Sequence, residues 1–322
     1  MQMSVAVAAA LALGVSAATP LFAQQFPAKP VRIVVPFPAG GAYDVAARII
    51  AQRMGAGLGQ NVLVENRPGA GTVVATEYVA RQPADGYTLL MVGPSFTIIP
   101  AVRSKLSFDA AKDFRAVAQV ISLPVAFSVH PSLPARSLKE LIALARARPG
   151  EIAYGTAGPG TVHHMIGEMF KLAAKVDIVH TPFQGGAPAV IAAVGGHITM
   201  LVVNVTEMAP FVRSGKLRGL VVTSRERAEV MPDTPTVIEA GFPQLEATNW
   251  SGLIAPSATP AAVVARLNAE VVRVLALAEV RESFKVQSLA PAPGTPEQFG
   301  ELLKNDAARF ARIVREAKIT VD

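Results

Sequence analysis

The stretch from Val31 to Asp44, VRIVVPFPAGGAYD, is the feature that most constrains the fold. A β-branched run predicts a buried strand, Pro36 ends it, and Gly40 and Gly41 open a tight turn into a helix. The first amides of such a helix have no intrahelical partner and lie at the positive end of its dipole, which favours a bound anion. The same residues also suit a simple strand-to-helix turn, with Asp44 as a favourable first-turn charge. Both interpretations are open on this stretch alone.

The same pattern returns at 152–164, IAYGTAGPGTVHH. A short strand is followed by Gly155, Gly158 and Gly160, and Thr161 lies near the N-cap of the next helix. Two such helix N-termini, one in each expected domain, are what a clamp around a carboxylate requires. The matched pair therefore favours binding over a purely structural turn.

Strand and helix patterns alternate along most of the chain, which predicts an α/β fold with largely parallel sheets. The length of 322 residues is enough for two domains, and 51% hydrophobic with 17% charged residues is typical of a globular protein. Two strand-like runs between 114 and 129 are separated by Ser122, Leu123 and Pro124. Ser95 and Thr97 follow another strand, where ligands of open α/β sheets bind, although position alone favours ordinary loop residues.

The charge pattern argues against nucleic acid as a partner. A net charge of +6 is spread along the chain without basic runs or interleaved aromatic residues. Such a mild excess is compatible with a long-range preference for anionic solutes.

The first residues differ from the rest of the chain. Residues 1–28 carry no charged side chain, 5–18 are almost entirely small or aliphatic, and Ala23 offers a small residue at a cleavage point. We interpret 1–23 as an export signal, with a membrane anchor or a buried first helix as the alternatives. The absence of cysteine excludes a lipobox, a disulfide and a thiolate metal site, so a free periplasmic protein is expected.

Sequence motifs for catalysis are missing. The chain contains no G-x-S-x-G elbow, Walker loop, H-E-x-x-H or kinase signature. His164 and Glu168 are spaced to share one helix face, but no third metal ligand lies nearby. We expect no catalytic residue, no metal and no cofactor, although a Ser/His pair assembled in space stays open.

Six segments, in order along the chain, resemble the successive motifs of the tripartite tricarboxylate transporter (TTT) receptors, the Bug or TctC-like family of periplasmic solute-binding proteins. They are VRIVVPFPAGGAYDVAAR, VENRPGAGTVVATEYVARQPADGYTLL, YGTAGPGTVHHMIGEMF, TPFQGGAPAVIAAVGG, GKLRGLVVTSRERAEVMPDTPTVIEAG and WSGLIAPSATPAAVVARLN. The resemblance covers nearly all of the chain after the export signal, whereas any single motif would be weak.

The resemblance implies a two-domain α/β periplasmic binding protein of type II, the Venus flytrap architecture, with a ligand cleft between the domains. It places residues 24–124 and 249–322 in domain 1 and residues 125–248 in domain 2. It further implies a monomer that closes on a small organic carboxylate and passes it to membrane permease subunits. In such receptors the carboxylate is held largely by backbone amides, hydroxyls and ordered water.

Carried over position by position, the resemblance also implies a set of ligand contacts. The first loop supplies Phe37, Ala39, Gly40, Gly41 and Asp44, the second supplies Gly158, Gly160, Thr161 and His164, and the candidates around the cleft are Ser95, Thr97, Thr156, Gln184 and Asn204. Pro159 and Gln184 depart from the residues that the family tends to have, so the identity of the carboxylate stays open.

Two other functions compete with a transport receptor. A binding protein of this kind could present its ligand to a membrane signalling sensor, and genomic neighbours would separate the two roles. An exported α/β enzyme would show turnover that is lost when Ser95 or His164 is replaced.

Overall fold

A computed structural model describes residues 26–103, 105–287 and 289–319, so the predicted export signal at 1–23 lies outside the described residues. The strands in this part of the chain are β1 (Val31–Val35), β2 (Val62–Asn66), β3 (Thr88–Val92), β4 (Phe114–Val129), β5 (Ala153–Thr156), β6 (Val179–Pro182), β7 (Met200–Asn204), β8 (Arg218–Val222), β9 (Thr248–Pro256) and β10 (Ala290–Pro291). The α-helices are α1 (Ala42–Leu58), α2 (Val73–Ala80), α3 (Ser95–Val102), α4 (Leu138–Ala147), α5 (Val162–Ala174), α6 (Gly186–Val194), α7 (Val205–Arg213), α8 (Ala261–Ala276), α9 (Ala278–Val286) and α10 (Pro296–Glu316). No helix in these three ranges combines the length and the apolar character needed to cross a membrane.

The strands form two parallel groups that antiparallel strands connect. In the first group β1 pairs in parallel with β2 and β3, and in the second β5 pairs in parallel with β6 and β7. Strands β9 and β4 lie between the groups and pair antiparallel with each other. The α/β prediction is confirmed, but the sheet is mixed where largely parallel pairing was predicted, because two strands cross between the groups.

Strand β4 is the longer of these crossing strands. It pairs with β9 as far as Pro124 opposite Thr248, and with β7 from Val125 opposite Asn204 onward. The prediction of two separate strands between 114 and 129 is therefore wrong. Pro124 is tolerated because its missing N–H falls where the strand changes partner. The domain boundaries near residues 124 and 249 stay a prediction, which this change of partner favours.

Parallel pairing also determines where the helices begin. In each group the carboxyl ends of the strands lie at one edge, and β1, β3, β5, β6 and β7 each lead directly into the helix that follows. The N-termini of α1, α3, α5, α6 and α7 therefore meet on one side of the sheet.

The last helix packs against both halves of the molecule. Near its start, Phe299 lies edge-on to Trp250 in the core of the first half, with 5.5 Å between ring centroids. Near its end, Phe310 belongs to the core that contains Phe127 and Phe170 in the second half. Helix α10 is thus a packed connection between the halves, and its assignment to domain 1 stays a prediction.

We expect Phe310→Ala to lower the free energy of unfolding by about 3–5 kcal/mol, because it removes a fully buried ring and leaves a cavity. Urea unfolding followed by circular dichroism measures the change. Lys304→Ala is the control on the same helix, since that side chain is 77% exposed and its loss should cost less than about 0.5 kcal/mol. Equal stabilities of the two variants would contradict the described packing.

Candidate functional site

A cavity of about 450 Å³ lies between the two halves of the molecule. Its lining comes from the first half at 37–38, 41–43 and 94–95, from the second half at 157, 161–163, 184–185, 204 and 207, and from the crossing strands at Leu123 and Asn249. This cavity is called the cleft below. An adjoining cavity of about 310 Å³ shares Phe37, Ser95 and Thr161 with it and also includes Gly160.

Five helices begin at the cleft. The residues at or beside their N-caps that line it are Gly41 and Ala42 for α1, Pro94 and Ser95 for α3, Thr161 and Val162 for α5, Gly185 for α6, and Asn204 for α7. Of these residues, Ala42, Ser95 and Val162 are the first of their helices, where the amide has no intrahelical partner, and such amides together with the helix dipoles favour an anionic group. Among the described residues, no Lys or Arg lines the cleft. Any electrostatic attraction of the cleft for an anion must therefore come from the backbone and not from a basic side chain.

The first loop is held in place by Asp44, at position N3 of α1. Its carboxylate accepts a hydrogen bond from the Gly40 amide at 2.8 Å, and bonds from Arg48 and Asn66 at 3.0 and 2.8 Å. Burial acts to raise the pKa of Asp44, but these hydrogen bonds outweigh burial and lower it. Asp44 therefore fixes the loop from behind instead of lining the cleft.

The second loop repeats this arrangement with a different side chain. The Gly160 amide donates to Nδ1 of His164 at 3.2 Å, and His164 is at N3 of α5. Thr161 caps the helix, with its hydroxyl accepting from the His164 amide and donating to the Gly158 carbonyl. In both loops the residue before the N-cap is thus joined to the N3 side chain. This spacing was visible in both glycine loops, but we did not predict the contact.

A hydrogen-bonded chain of side chains crosses the cleft from one half to the other. The Tyr43 hydroxyl donates to Oδ1 of Asn249 at 2.6 Å, and Nδ2 of Asn249 donates to Oδ1 of Asn204 at 3.1 Å. The same oxygen lies 3.0 Å from Nε2 of His163, which assigns the proton of the neutral ring to Nε2. Burial lowers the pKa of His163 to about 4. Sequence reasoning missed Tyr43 and Asn249 as cleft residues, because only the fold brings them there.

Glu207 is the acidic residue that lines the cleft. Its Oε2 accepts hydrogen bonds from the backbone amide and Nδ2 of Asn204, both at 3.2 Å. Burial raises the pKa of Glu207, and the hydrogen bonds from Asn204 oppose this effect. Nothing in the sequence indicates that Glu207 faces a ligand cavity.

The structure brings only part of the predicted ligand set to the cleft. The predicted residues that line it are Phe37, Gly41, Ser95, Thr161, Gln184 and Asn204. Gly160 lines the adjoining cavity, and Ala39 and Gly40 lie in the exposed outer part of the first loop.

The remaining predicted residues lie at positions that support the loops, and a ligand contact for them stays a prediction. Thr97 donates to the Pro94 carbonyl at 2.8 Å and faces a separate cavity beside α10. Thr156 accepts from the Gly158 amide and lies 2.7 Å from Nε2 of His180. Together with Asp44, Gly158 and His164, these residues shape the loops, since each of them makes a hydrogen bond to a neighbouring residue.

A buried polar cluster lies behind the second loop. The His164 and His180 rings stack with centroids 3.9 Å apart, and the Glu168 carboxylate accepts from the Tyr154 hydroxyl at 2.6 Å and from Lys171 at 3.2 Å. Burial lowers the pKa of His164 to about 4, and the nearby Lys171 charge adds to that effect. Across the described ranges, no three His, Asp or Glu side chains are grouped to hold a metal ion.

We expect the free energy of unfolding to fall as pH drops from about 6.5 towards 4. A histidine with a folded-state pKa near 4 binds fewer protons than the unfolded chain in this window, so acid favours unfolding by up to about 1.4 kcal/mol per pH unit. Urea unfolding at a series of pH values measures the slope. His164→Gln should reduce it, whereas His197→Gln, at an exposed histidine, should not. Identical slopes for both variants would contradict the account.

Comparison with known proteins identifies the family to which this chain belongs. The family model described as "Tripartite tricarboxylate transporter family receptor" matches residues 46–319. Protein BugT of Bordetella pertussis is 35% identical over 93% of this chain and 92% of its own length. Rpa4515 of R. palustris with adipate is 32% identical with a TM-score of 0.77, covering 92% of this chain and 99% of that chain.

MatC from Rhodopseudomonas palustris with bound malate is also 32% identical, with a TM-score of 0.75, covering 90% of this chain and all of that chain. These likenesses confirm the predicted two-domain periplasmic binding protein fold. The chain belongs to the tripartite tricarboxylate transporter receptor family.

Proposed function

We propose that this protein is a periplasmic receptor that captures a small carboxylated organic solute in the cleft and delivers it to the membrane permease subunits of a TTT system. The observation that carries the proposal is that five helix N-termini converge on one cavity. Among the described residues, no Lys or Arg lines this cavity. The relatives with bound adipate and malate support a carboxylate as the ligand class. Export through a cleaved signal at 1–23 and a monomeric state belong to the same proposal.

The chemistry of the cleft suits reversible capture. Backbone amides bind a carboxylate without the desolvation penalty of a second buried ion, so the solute can leave again. Water bridges between the solute and loop amides would cost little and would let one frame accept several acids. The two halves would close on the solute by bending of β4 and β9, the strands that connect them. This closure would exclude bulk water from the bound solute.

The enzyme alternative receives less support from the side chains. Ser95 lines the cleft, but Nδ1 of His164 accepts a backbone hydrogen bond and its ring stacks on His180 behind the loop. A serine activated by this histidine would need the two in hydrogen-bond reach. We therefore propose binding without turnover.

We expect a thermal-shift screen of small organic acids and their amides to find an acid that stabilises the protein while its amide does not. A ligand that binds only the folded state raises the melting temperature with occupancy, and the amide lacks the anionic group that helix N-termini favour. Mass spectrometry of denatured protein checks for solute that copurifies in the cleft. Lack of any stabilising acid for protein shown to be free of solute would contradict the proposal.

A second prediction concerns the amide donors themselves. Ala42 is the first residue of α1 and lines the cleft, so Ala42→Pro removes one free N–H where proline is well tolerated. The extended Gly41 before it, with ψ of 164°, also suits a following proline. We expect a weakening of about 10- to 100-fold in the affinity for the acid found by the screen, measured by calorimetry, because a hydrogen bond to a charged group is lost.

Ala261→Pro is the matched control, because Ala261 is the first residue of α8 and lies outside the cleft. The residue before it is likewise extended, with ψ of 141°. This variant should bind as the wild type does. Equal affinities of the two proline variants would argue against a hydrogen bond from the Ala42 amide of α1 to the ligand.

A further inference from the structure

The buried carboxylates outside the cleft share one property. Each of them lies within ion-pair distance of an Arg or Lys side chain, which offsets the cost of burying a charge. The pairs are Asp44 with Arg48 at 3.0 Å, Glu168 with Lys171 at 3.2 Å, Glu270 with Arg273 at 2.6 Å, and Asp306 with Arg309 at 2.5 Å.

Glu207 does not follow this rule. Within the part of the chain that the structure describes, no Lys, Arg or His lies within 4.0 Å of its carboxylate. Both of its hydrogen bonds come from Asn204 and end on Oε2, so Oε1 receives none from these residues. The carboxylate also contacts Gly186, where a Cβ would lie 2.2 Å from Oε1. Glu207, which is half-buried and faces the cleft, thus has no cationic partner among the described residues.

Helix capping explains only part of this environment. Glu207 is at N3 of α7, and the amides at the starts of α6 and α7 offset some of its charge. Glu140 has the same position in α4, where it accepts from the Arg136 amide at 2.7 Å on an exposed surface. Capping therefore needs no burial in a cavity, and it supplies neither a cation nor a donor for Oε1.

The aromatic residues of the cleft add a second feature that suits a cation. The rings of Phe37 and Tyr43 line the same cavity as Glu207, with 4.5 Å between their centroids. Aromatic faces attract an ammonium group, most strongly where water is excluded. Helix N-termini favour an anion in this cavity, whereas Glu207 and the two rings favour a cation.

We propose that the solute is zwitterionic, with its carboxylate held by helix N-termini and its primary ammonium group bound to Glu207. An amino acid is the chemical class that this arrangement fits. The inference rests on the proposed function, because it assigns a second charge to the solute that the receptor captures. Glu207 is then the specificity-determining residue that distinguishes an amino acid from the acid without its amine.

The test compares pairs of acids that share a carbon skeleton and differ by the amine. Each acid is titrated by calorimetry at neutral pH into protein that has been refolded free of bound solute. The pairs are aspartate with succinate, glutamate with glutarate, norvaline with pentanoate, and 4-aminobutyrate with butanoate. In the pair or pairs that bind, the amine-bearing member should bind about tenfold more tightly or better, since it gains a charge-assisted hydrogen bond.

Glu207→Gln should weaken binding of the amine-bearing member by about tenfold or more, so that the two members of the pair bind with similar affinity. Glutamine at N3 retains an oxygen for the capping bonds, and circular dichroism checks that the variant is folded. Glu140→Gln, the matched substitution at the N3 position of α4, should leave both affinities unchanged.

The outcomes separate this inference from the proposed function. If the acid without the amine binds to the wild type as tightly as its partner, or if Glu207→Gln leaves their ratio unchanged, the zwitterion inference is overturned while the carboxylate receptor stands. If no acid in these pairs or in the wider screen binds, both proposals fail.

Discussion

Backbone amides in the first turn of a helix have no intrahelical partner, and five helices of this protein begin at one cavity. The rest of the arrangement follows from that constraint. The strands before those helices must end at one edge, which the parallel groups β1 to β3 and β5 to β7 provide. The two groups must also face each other, and the crossing strands β4 and β9 connect them. A site made of amides can then accept a carboxylate without a buried basic side chain.

Amide donors are useful only where the loops that carry them are well ordered. The protein orders both glycine loops by joining the residue before the N-cap to the N3 side chain, as Gly40 with Asp44 and Gly160 with His164. Asp44 is an ionised acceptor kept so by Arg48, whereas His164 is a neutral acceptor kept so by burial. The two loops thus reach the same geometry by different electrostatics, and only the second becomes sensitive to mild acid.

The sequence predicted those parts of the structure that short patterns determine. Strand, glycine turn and helix at 31–44 and 152–164 were readable because hydrophobic periodicity and glycine are local signals. The family resemblance assigned Thr97 and His164 to the ligand. In the fold Thr97 lines a cavity beside α10 and Nδ1 of His164 accepts from Gly160, positions that short patterns do not predict. Asn249 could not be placed, since it lies 206 positions from Tyr43, which it contacts. Contacts of this kind depend on tertiary packing, which periodicity does not encode.

Amide chemical shifts measured by nuclear magnetic resonance, with and without a saturating carboxylate, test the central claim most directly. Capture by helix N-termini predicts the largest changes at the first residues of the helices that begin at the cleft, among them Ala42, Val162 and Gly186. It predicts little change at Ala261 at the start of α8. Changes confined to another surface, or equal at Ala42 and Ala261, would contradict capture by helix N-termini.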